Sequence, residues 1–485
     1  MKNENSKSLG VSRRAFVRSS SLAALVAPTL PAWSSPAATD QPTPPVQRTD
    51  YLSAANETAH WIRSAEKKTD QGTFWLPEPD HPEKATTVSP GNTIYSGSAG
   101  TTLFFLELAN ATGDAYTLQA AKSGADYLVS TWQELKAPQK TGLELSFNSG
   151  VAGVAFTLSE VWKATQDDKY RDAALAATSH IIASAKPTGT GVEWAAAPGV
   201  AGDGGIILFL LYAAKAFNDP TLRDLAAQGG ARLLELSERD PRGGFKWYGI
   251  APERFGQPKG IYWPNFELGT AGVAFVLARL YEETADHRFL DAAKQGAVHI
   301  QSIATVQGDV ALVHYREPDL KDLYYLGYCH GPAGTARLFY ELYKITDEPQ
   351  YLDWTERLAR GITTSGIPEK LTPGFWNVVC QCCGTAGVSD LFVGLWAATK
   401  CPEYLAFAQR VLDQTISRET NLDDKGYRWY QAWTRIKPWE VSAETGYMIG
   451  AAGVGSALLH VHLATRGCYE AILFPDNPFP RVQHA

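Results

Sequence analysis

Two short stretches of this 485-residue chain carry four of its six cysteines. In the first, Cys329 precedes His330 and a Gly-x-x-Gly pair. In the second, Cys380, Cys382 and Cys383 precede another such pair. Thiolates are favoured zinc ligands, and two adjacent cysteines can both bind one metal where a following glycine lets the backbone turn. We therefore expect the two stretches to meet at one metal ion, zinc.

The same glycine pair recurs along the whole chain. One Gly-x-x-Gly carries little information, but seven at a spacing of roughly 60 residues, each followed by an apolar run, are typical of a repeat architecture. The pairs are Gly97–Gly100, Gly150–Gly153, Gly199–Gly202, Gly269–Gly272, Gly331–Gly334, Gly384–Gly387 and Gly450–Gly453.

The runs after the glycines are rich in Ala and Leu and are apolar all round, which predicts buried helices. Between them lie amphipathic segments that predict outer helices, the first at Tyr51 to Lys67. Seven inner and seven outer helices predict an all-α fold, an α/α toroid of seven helix pairs that closes on itself. The glycine loops then line one mouth, where helix N-termini favour negative charge and thiolate.

The N-terminus predicts an export signal. Residues 1–38 contain the pair Arg13-Arg14, then a weakly apolar run and small residues, a pattern of the twin-arginine type. Residues 39–50 predict a linker, and 51–485 a single toroid domain in a periplasmic or extracellular protein. The apolar run is too short to span a bilayer, and a net charge of −7 gives no support to nucleic-acid binding.

Seven glycine-initiated repeats, with Cys329-His330-Gly331 at the fifth and Cys382-Cys383-Gly384 at the sixth, resemble the lanthionine synthetase C-like (LanC-like) family over residues 51–466. The resemblance implies a double α-toroid with one zinc ion. It also implies that Cys329, Cys382 and Cys383 are its ligands. The bacterial cyclases of that family use zinc to activate a peptide thiol for addition to a dehydrated Ser or Thr.

Several positions differ from the family pattern. Cys383 stands where the family has a histidine ligand, and Leu268 where a histidine usually precedes the fourth-repeat glycine. Ser146 replaces an aspartate, and Tyr325 an arginine. His330 follows the fifth-repeat cysteine, a position that is Tyr in many cyclases and His in other members. The chain thus keeps a modified metal site and lacks most acid–base residues of the cyclases.

Three thiolates leave the fourth tetrahedral position of zinc open, which is the arrangement of a catalytic site. A thiol bound there loses its proton yet stays nucleophilic, so the pattern favours thiol addition or alkylation of a peptide cysteine or a small thiol. His330 and Glu267 are the predicted acid–base groups. Two alternatives stay open: a disulfide, either Cys382–Cys383 or from Cys329 to this cluster, and a role for Cys380 as a replacement or fourth ligand.

The loops before the glycines are rich in aromatic and acidic residues, which predicts an aromatic mouth. A carbohydrate-active enzyme of the same fold is therefore an alternative, with a carboxylate pair drawn from Glu193, Glu267, Glu440 and Glu444. A non-catalytic binding protein with structural zinc is a third. The aromatic residues concerned are Trp194, Trp247, Tyr248, Trp263, Tyr324, Tyr325, Trp376, Trp429, Tyr430, Trp433 and Trp439.

Overall fold

The computed structural model describes residues 49–81 and 91–483, which form fourteen α-helices and ten short strands. The predicted export signal and most of the predicted linker lie outside these residues. The helices are α1 (Tyr51–Ser64), α2 (Ser98–Thr112), α3 (Ala115–Thr131), α4 (Val151–Thr165), α5 (Asp168–Ala183), α6 (Asp203–Ala216), α7 (Pro220–Glu235), α8 (Thr270–Thr284), α9 (His287–Ile303), α10 (Pro332–Thr346), α11 (Pro349–Thr363), α12 (Thr385–Thr399), α13 (Pro402–Ile416) and α14 (Ala451–Thr465).

The strands pair into five antiparallel hairpins, each placed between an outer helix and the next inner one. Among the described residues, two 3-10 helices also lie in the connections, at Trp132–Lys136 and Pro252–Phe255. The strands are β1 (Glu66–Thr69), β2 (Gly72–Trp75), β3 (Lys186–Pro187), β4 (Val192–Glu193), β5 (Glu238–Arg239), β6 (Phe245–Lys246), β7 (Thr305–Gln307), β8 (Val310–Leu312), β9 (Gln431–Ala432) and β10 (Val441–Ser442).

The even-numbered helices form a closed inner ring. Each contacts the next, and α14 contacts α2. The odd-numbered helices lie outside, each packed on an inner helix, with α1 packed on α14. Inner helices are buried on all sides; in α12, for example, every residue from Thr385 to Ala397 is buried. The predicted α/α toroid of seven helix pairs is confirmed.

Close backbone contact explains the second glycine of each pair. A Cβ atom on Gly153 would overlap the carbonyl oxygen of Phe147, and one on Gly334 would overlap that of Tyr328. Gly387 stands in the same relation to Gln381. Each inner helix thus begins with its first turn pressed against its own preceding loop, which holds that loop over the mouth of the toroid.

We expect Gly153→Ala to lower the free energy of unfolding by about 1–3 kcal/mol, because the added methyl must displace the Phe147 carbonyl. Gly189→Ala is the matched control: its new Cβ would lie 3.5 Å from the Glu235 Oε1 atom, an ordinary contact. Urea denaturation of both variants measures the difference. Equal stability of the two variants would contradict the explanation.

Two sequence-based boundaries were wrong. In the third repeat, helix α6 begins after Gly202, not after Gly199, so the equivalent glycine pair is Gly202–Gly205. The buried carboxylate of Asp203 accepts hydrogen bonds from the backbone N–H groups of Trp194, Ala195 and Ala197, which fixes this start. The first outer helix ends at Ser64, because the residues from Glu66 onward pair in the β1–β2 hairpin.

Three of the predicted mouth tryptophans pack in the helical wall instead. The indole N–H groups of Trp194, Trp247 and Trp429 donate to the carbonyls of Ile181, Leu233 and Thr415. Each carbonyl lies in the last turn of an outer helix, where backbone acceptors need partners. These side chains therefore cap outer helices. In the part of the chain described, no helix has the length and apolar character needed to cross a membrane.

Candidate metal centre

A chain of backbone hydrogen bonds runs around the mouth and places the candidate residues side by side. The bonds join residues that stand one or two positions before the first glycine of successive repeats. We call these seven residues the floor ring. The backbone N–H of each residue donates to the carbonyl oxygen of the next, with N···O distances of 2.8 to 3.0 Å. In that order the residues are Ala201, Glu267, Cys329, Cys382, Met448, Tyr95 and Asn148.

The three predicted ligands converge in this ring. The Sγ atom of Cys383 lies 3.2 Å from that of Cys329 and 3.5 Å from that of Cys382. All three sulfurs lie within 4.8 Å of one another, and Cys329 and Cys382 are buried. The cysteines stand two or three residues before the N-termini of α10 and α12, whose dipoles favour thiolate. Hydrogen bonds with the thiols of Cys329 and Cys382 lower the pKa of Cys383 to about 7.

The structure has neither a disulfide among these cysteines nor Cys380 in the cluster of three sulfurs. All six cysteines are free, and 3.2 Å is far beyond the roughly 2.05 Å of a disulfide bond. Cys380 lies outside the sulfur cluster, and its backbone N–H donates to the Gln431 side chain. Burial, followed by the charge of Cys382, raises the pKa of Cys380 to about 12.

Two further side chains of the floor ring meet the sulfur of Cys382. The Tyr95 hydroxyl lies 3.5 Å from it, and the Glu267 Oε2 atom lies 3.8 Å from it. Burial, and then the neighbouring Cys382, raises the pKa of the Glu267 carboxyl well above its ordinary value. Glu267 was predicted, whereas Tyr95 was missed. Tyr95 stands two residues before its repeat glycine, as Cys329 and Cys382 do, and that offset could have revealed it.

His330 lies beside the cluster among aromatic rings. Its imidazole stacks on Trp263 at 6.3 Å between centroids and meets the edge of Tyr315 at 5.1 Å. Burial, assisted by the charge of Arg316, lowers the pKa of His330 to about 3, so the ring is neutral near pH 7. Its Nδ1 atom has no hydrogen-bond partner in the described parts of the chain.

A cavity of about 580 Å³ opens above the three cysteines, Glu267 and His330. Four of the predicted aromatic residues line it: Trp263, Tyr325, Trp376 and Trp433. The 3-10 helix at Pro252–Phe255 contributes Phe255, and the loop between β9 and β10 contributes Arg435 and Ile436. The size and aromatic walls are those of a small-ligand site.

The cavity does not offer the carboxylate pair of a glycoside hydrolase. Among the described residues that line it, Glu267 is the one carboxylate. Glu193 pairs with Arg232 at 2.9 Å, and Glu440 pairs with Lys437 at 3.0 Å on the surface. Glu444 is buried and accepts a hydrogen bond from Ser442. Hydrolysis of a glycosidic bond normally needs two flanking carboxylates.

The cavity wall also carries a cation. Arg316 and Arg435 both line the cavity, and Arg316 is held by Asp319 at 2.6 Å. Arg435 has no carboxylate partner in the described ranges, and its charge acts on the nearby Tyr325. Within the described residues, the wall thus presents one positive charge without a carboxylate partner, that of Arg435.

A family match and the fold of nisin cyclase agree with this architecture. A family model described as "Lanthionine synthetase C-like protein" matches residues 89–467. The solved structure of nisin cyclase has 15% sequence identity and a TM-score of 0.59, over 85% of this chain and 94% of its own. A GH76 α-mannanase from Bacteroides thetaiotaomicron has 12% identity and a TM-score of 0.46, over 87% and 98%.

No match was found among curated protein sequences. At these identities the structural likeness to nisin cyclase concerns the fold. The family match carries more weight, because it spans most of the chain and includes both cysteine stretches and all seven inner-helix starts. The chain therefore belongs to the lanthionine synthetase C-like protein family.

Proposed function

We propose that Cys329, Cys382 and Cys383 hold one zinc ion, and that this centre binds and activates a thiol for addition or alkylation. The observation that carries the proposal is the convergence of three sulfurs in the floor of a ligand-sized cavity. Thiolates bound to one tetrahedral zinc at 2.3 Å would be roughly 3.8 Å apart. The sulfur separations of 3.2 and 3.5 Å fit such a site after a small outward movement.

Zinc, when bound there, would lower the pKa of a thiol at its open position, so that this thiol is deprotonated at neutral pH. The protein's own groups would handle the protons. The imidazole of His330 is neutral near pH 7 and can accept a hydrogen bond from the incoming thiol, whose proton then passes to solvent. The Glu267 carboxyl, kept protonated by burial, can donate a proton to the carbon next to the new C–S bond. The Tyr95 hydroxyl, at 3.5 Å, can donate to the sulfur of Cys382 and hold it in place.

The cavity walls suit a thiol carried by a peptide or a small molecule. The aromatic side chains exclude water from the floor, which strengthens the interactions of charged groups there. The walls differ from the cyclase pattern: Leu268 and Tyr325 both line this cavity. The proposal is therefore thiol activation in general, with nisin cyclase as the structural relative that acts on a peptide. We further propose that the protein is exported, as residues 1–38 predict.

Metal analysis and cobalt substitution test the proposal. We expect one zinc ion per chain and, after exchange with Co²⁺, a thiolate-to-metal absorption band that changes when 2-mercaptoethanol is added. Such a change identifies an open coordination position and separates an activating site from a structural one. The absence of bound metal, or a cobalt spectrum that does not change when the thiol is added, would refute the proposal.

Arg435 is expected to favour thiols that carry a carboxylate. For Arg435→Gln, we expect the affinity for 3-mercaptopropionate to fall roughly 10- to 100-fold, since a hydrogen bond between charged groups contributes about 1.5–3 kcal/mol. The affinity for neutral 2-mercaptoethanol should not change. Titration of the cobalt spectrum with each thiol measures both affinities.

Lys437→Gln is the matched control for Arg435→Gln. Lys437 lies two residues further along the same loop and pairs with Glu440 at 3.0 Å. We expect this variant to bind both thiols as the unaltered protein does. If the two variants lost affinity for 3-mercaptopropionate equally, the effect would come from overall charge and Arg435 would have no special part.

A further inference from the structure

The chain continues beyond α14 into the interior of the toroid. Residues 466–483, the C-terminal segment, contact three different inner helices. The backbone N–H of Ile472 donates to Glu107 of α2 at 2.9 Å, and Phe474 packs on Phe156 of α4. Asp476 pairs with Arg337 of α10 at 3.1 Å. Contacts on separate sides of the ring place this segment inside it.

The C-terminal segment also reaches the underside of the metal centre. The residues directly before the floor-ring positions form a second layer, which includes Phe147, Tyr328 and Tyr447. Phe474 packs on Phe147 at 5.6 Å and on Tyr447 at 4.9 Å between ring centroids. The Tyr328 hydroxyl donates to the Asp476 Oδ2 atom at 2.6 Å. The segment therefore supports the floor ring from below.

Asp476 is the charged centre of this contact. It is buried, and it binds both the Tyr328 hydroxyl and the Arg337 guanidinium. That guanidinium lies 4.8 Å from the centroid of the Tyr328 ring and 5.9 Å from that of Phe266. Tyr328 directly precedes Cys329, and Phe266 directly precedes Glu267. One carboxylate thus orients the side chains on which two floor-ring residues rest.

We propose that Asp476 is a positioning residue for the metal centre. Its bond to Tyr328 fixes the backbone that carries Cys329, so that the Cys329 sulfur meets those of Cys382 and Cys383. The inference rests on the proposed zinc site. Its physical basis is that groups behind a metal ligand restrict the ligand's orientations, and their loss typically weakens metal binding 10- to 100-fold.

Tyr328→Phe is the sharpest test, because it removes one hydroxyl and leaves the ring and the Arg337–Asp476 ion pair in place. We expect zinc affinity to fall roughly tenfold, the lower end of that range, since Tyr328 acts through the backbone. The ligand-field bands of the cobalt-substituted protein should also shift. Competition with a chromophoric chelator measures the affinity, and circular dichroism confirms that the variant is folded.

Phe479→Leu is the matched control within the same segment. Phe479 packs on Tyr340 and on the backbone of Gly394, in the second halves of α10 and α12, whereas the floor ring precedes the N-termini of these helices. We expect this variant to lose thermal stability while keeping zinc affinity and the cobalt spectrum. Equal losses of zinc affinity in Phe479→Leu and Tyr328→Phe would overturn the inference, because any loosening of the segment would then suffice.

Asp476→Asn tests whether Asp476 and Tyr328 act together. Because Asp476 and Tyr328 act through one hydrogen bond, the double variant Tyr328→Phe/Asp476→Asn should bind zinc about as weakly as Asp476→Asn alone. If Tyr328→Phe binds zinc within twofold of the unaltered protein, the positioning role is overturned while the proposed function stands. If the unaltered protein binds no zinc, the proposed function fails and this inference fails with it.

Discussion

Replacing Cys329 with alanine is expected to remove bound zinc from the protein. The free energy of zinc binding by protein thiolates and imidazoles is about 10–16 kcal/mol in small structural sites, or roughly 3–4 kcal/mol per ligand. Loss of one of three ligands should therefore weaken binding at least 10²- to 10³-fold. Metal analysis after dialysis against a weak chelator should find one zinc ion per unaltered chain and almost none per Cys329→Ala chain.

Cys380→Ala is the control for this prediction. Cys380 is buried as deeply as Cys329 and stands two residues before Cys382, yet its sulfur lies outside the cluster. We expect this variant to keep its zinc. Loss of zinc from Cys380→Ala would indicate a closed four-sulfur site instead. Retention of zinc by Cys329→Ala would show that the three sulfurs do not form the site.

The arrangement of the three-cysteine cluster could be predicted from the sequence because its residues occupy equivalent positions in successive repeats. A residue at a fixed offset from a repeat glycine reaches an equivalent place in the closed ring. Cys329, Cys382 and Glu267 all stand two residues before such a glycine, and all three meet in the floor ring. Tyr95 shares that offset and was missed, because an isolated tyrosine carries less chemical signal than a cysteine.

The register of the third repeat could not be read from its glycines alone. Gly199, Gly202 and Gly205 provide two overlapping glycine pairs, and both fit the pattern. In the structure the helix begins after Gly202, and the carboxylate of its first residue, Asp203, accepts hydrogen bonds from three backbone N–H groups of the preceding loop. Side-chain contacts of this kind depend on the folded structure and produce no periodic pattern in the sequence.

The C-terminal segment was missed for a similar reason. Residues 466–483 belong to no repeat and form no helix, so neither spacing nor hydrophobic period points to the interior of the ring. Aromatic residues had the opposite difficulty. Trp194 and Trp263 both stand in loops before inner helices, but only Trp263 faces the cavity, because Trp194 is required at an outer helix end.

Stability should fall as the pH rises from neutrality to 10, because of a buried histidine in the interior of the toroid. His460 of α14 lies between Asp390 of α12, at 2.9 Å, and Glu107 of α2, at 3.1 Å. Burial alone would lower its pKa, but Asp390 and then Glu107 outweigh burial and raise the pKa to about 10. The Tyr469 ring also faces it.

The direction of this pH dependence is set by the protonation of His460 in the folded and unfolded protein. Unfolded histidine has a pKa near 6.5, so between about pH 6.5 and 10 the folded protein holds one proton that the unfolded chain has released. The stabilisation is complete below that range and is lost as pH rises through 10. We expect the free energy of unfolding to fall by up to about 1.4 kcal/mol per pH unit in this window, a few kcal/mol in all. Urea denaturation at each pH measures it.

His460→Gln removes the cation between the two carboxylates. We expect a loss of about 3–5 kcal/mol at pH 7, the cost of leaving buried charge without its partner, and a flatter dependence on pH above 7. The difference between variant and unaltered protein cancels the other groups that titrate in both. His462→Gln, two residues further along α14, is the control, because burial lowers the pKa of His462 and no described carboxylate forms an ion pair with it. A pH dependence that survives in His460→Gln would show that the three inner helices are not held together by this charged histidine.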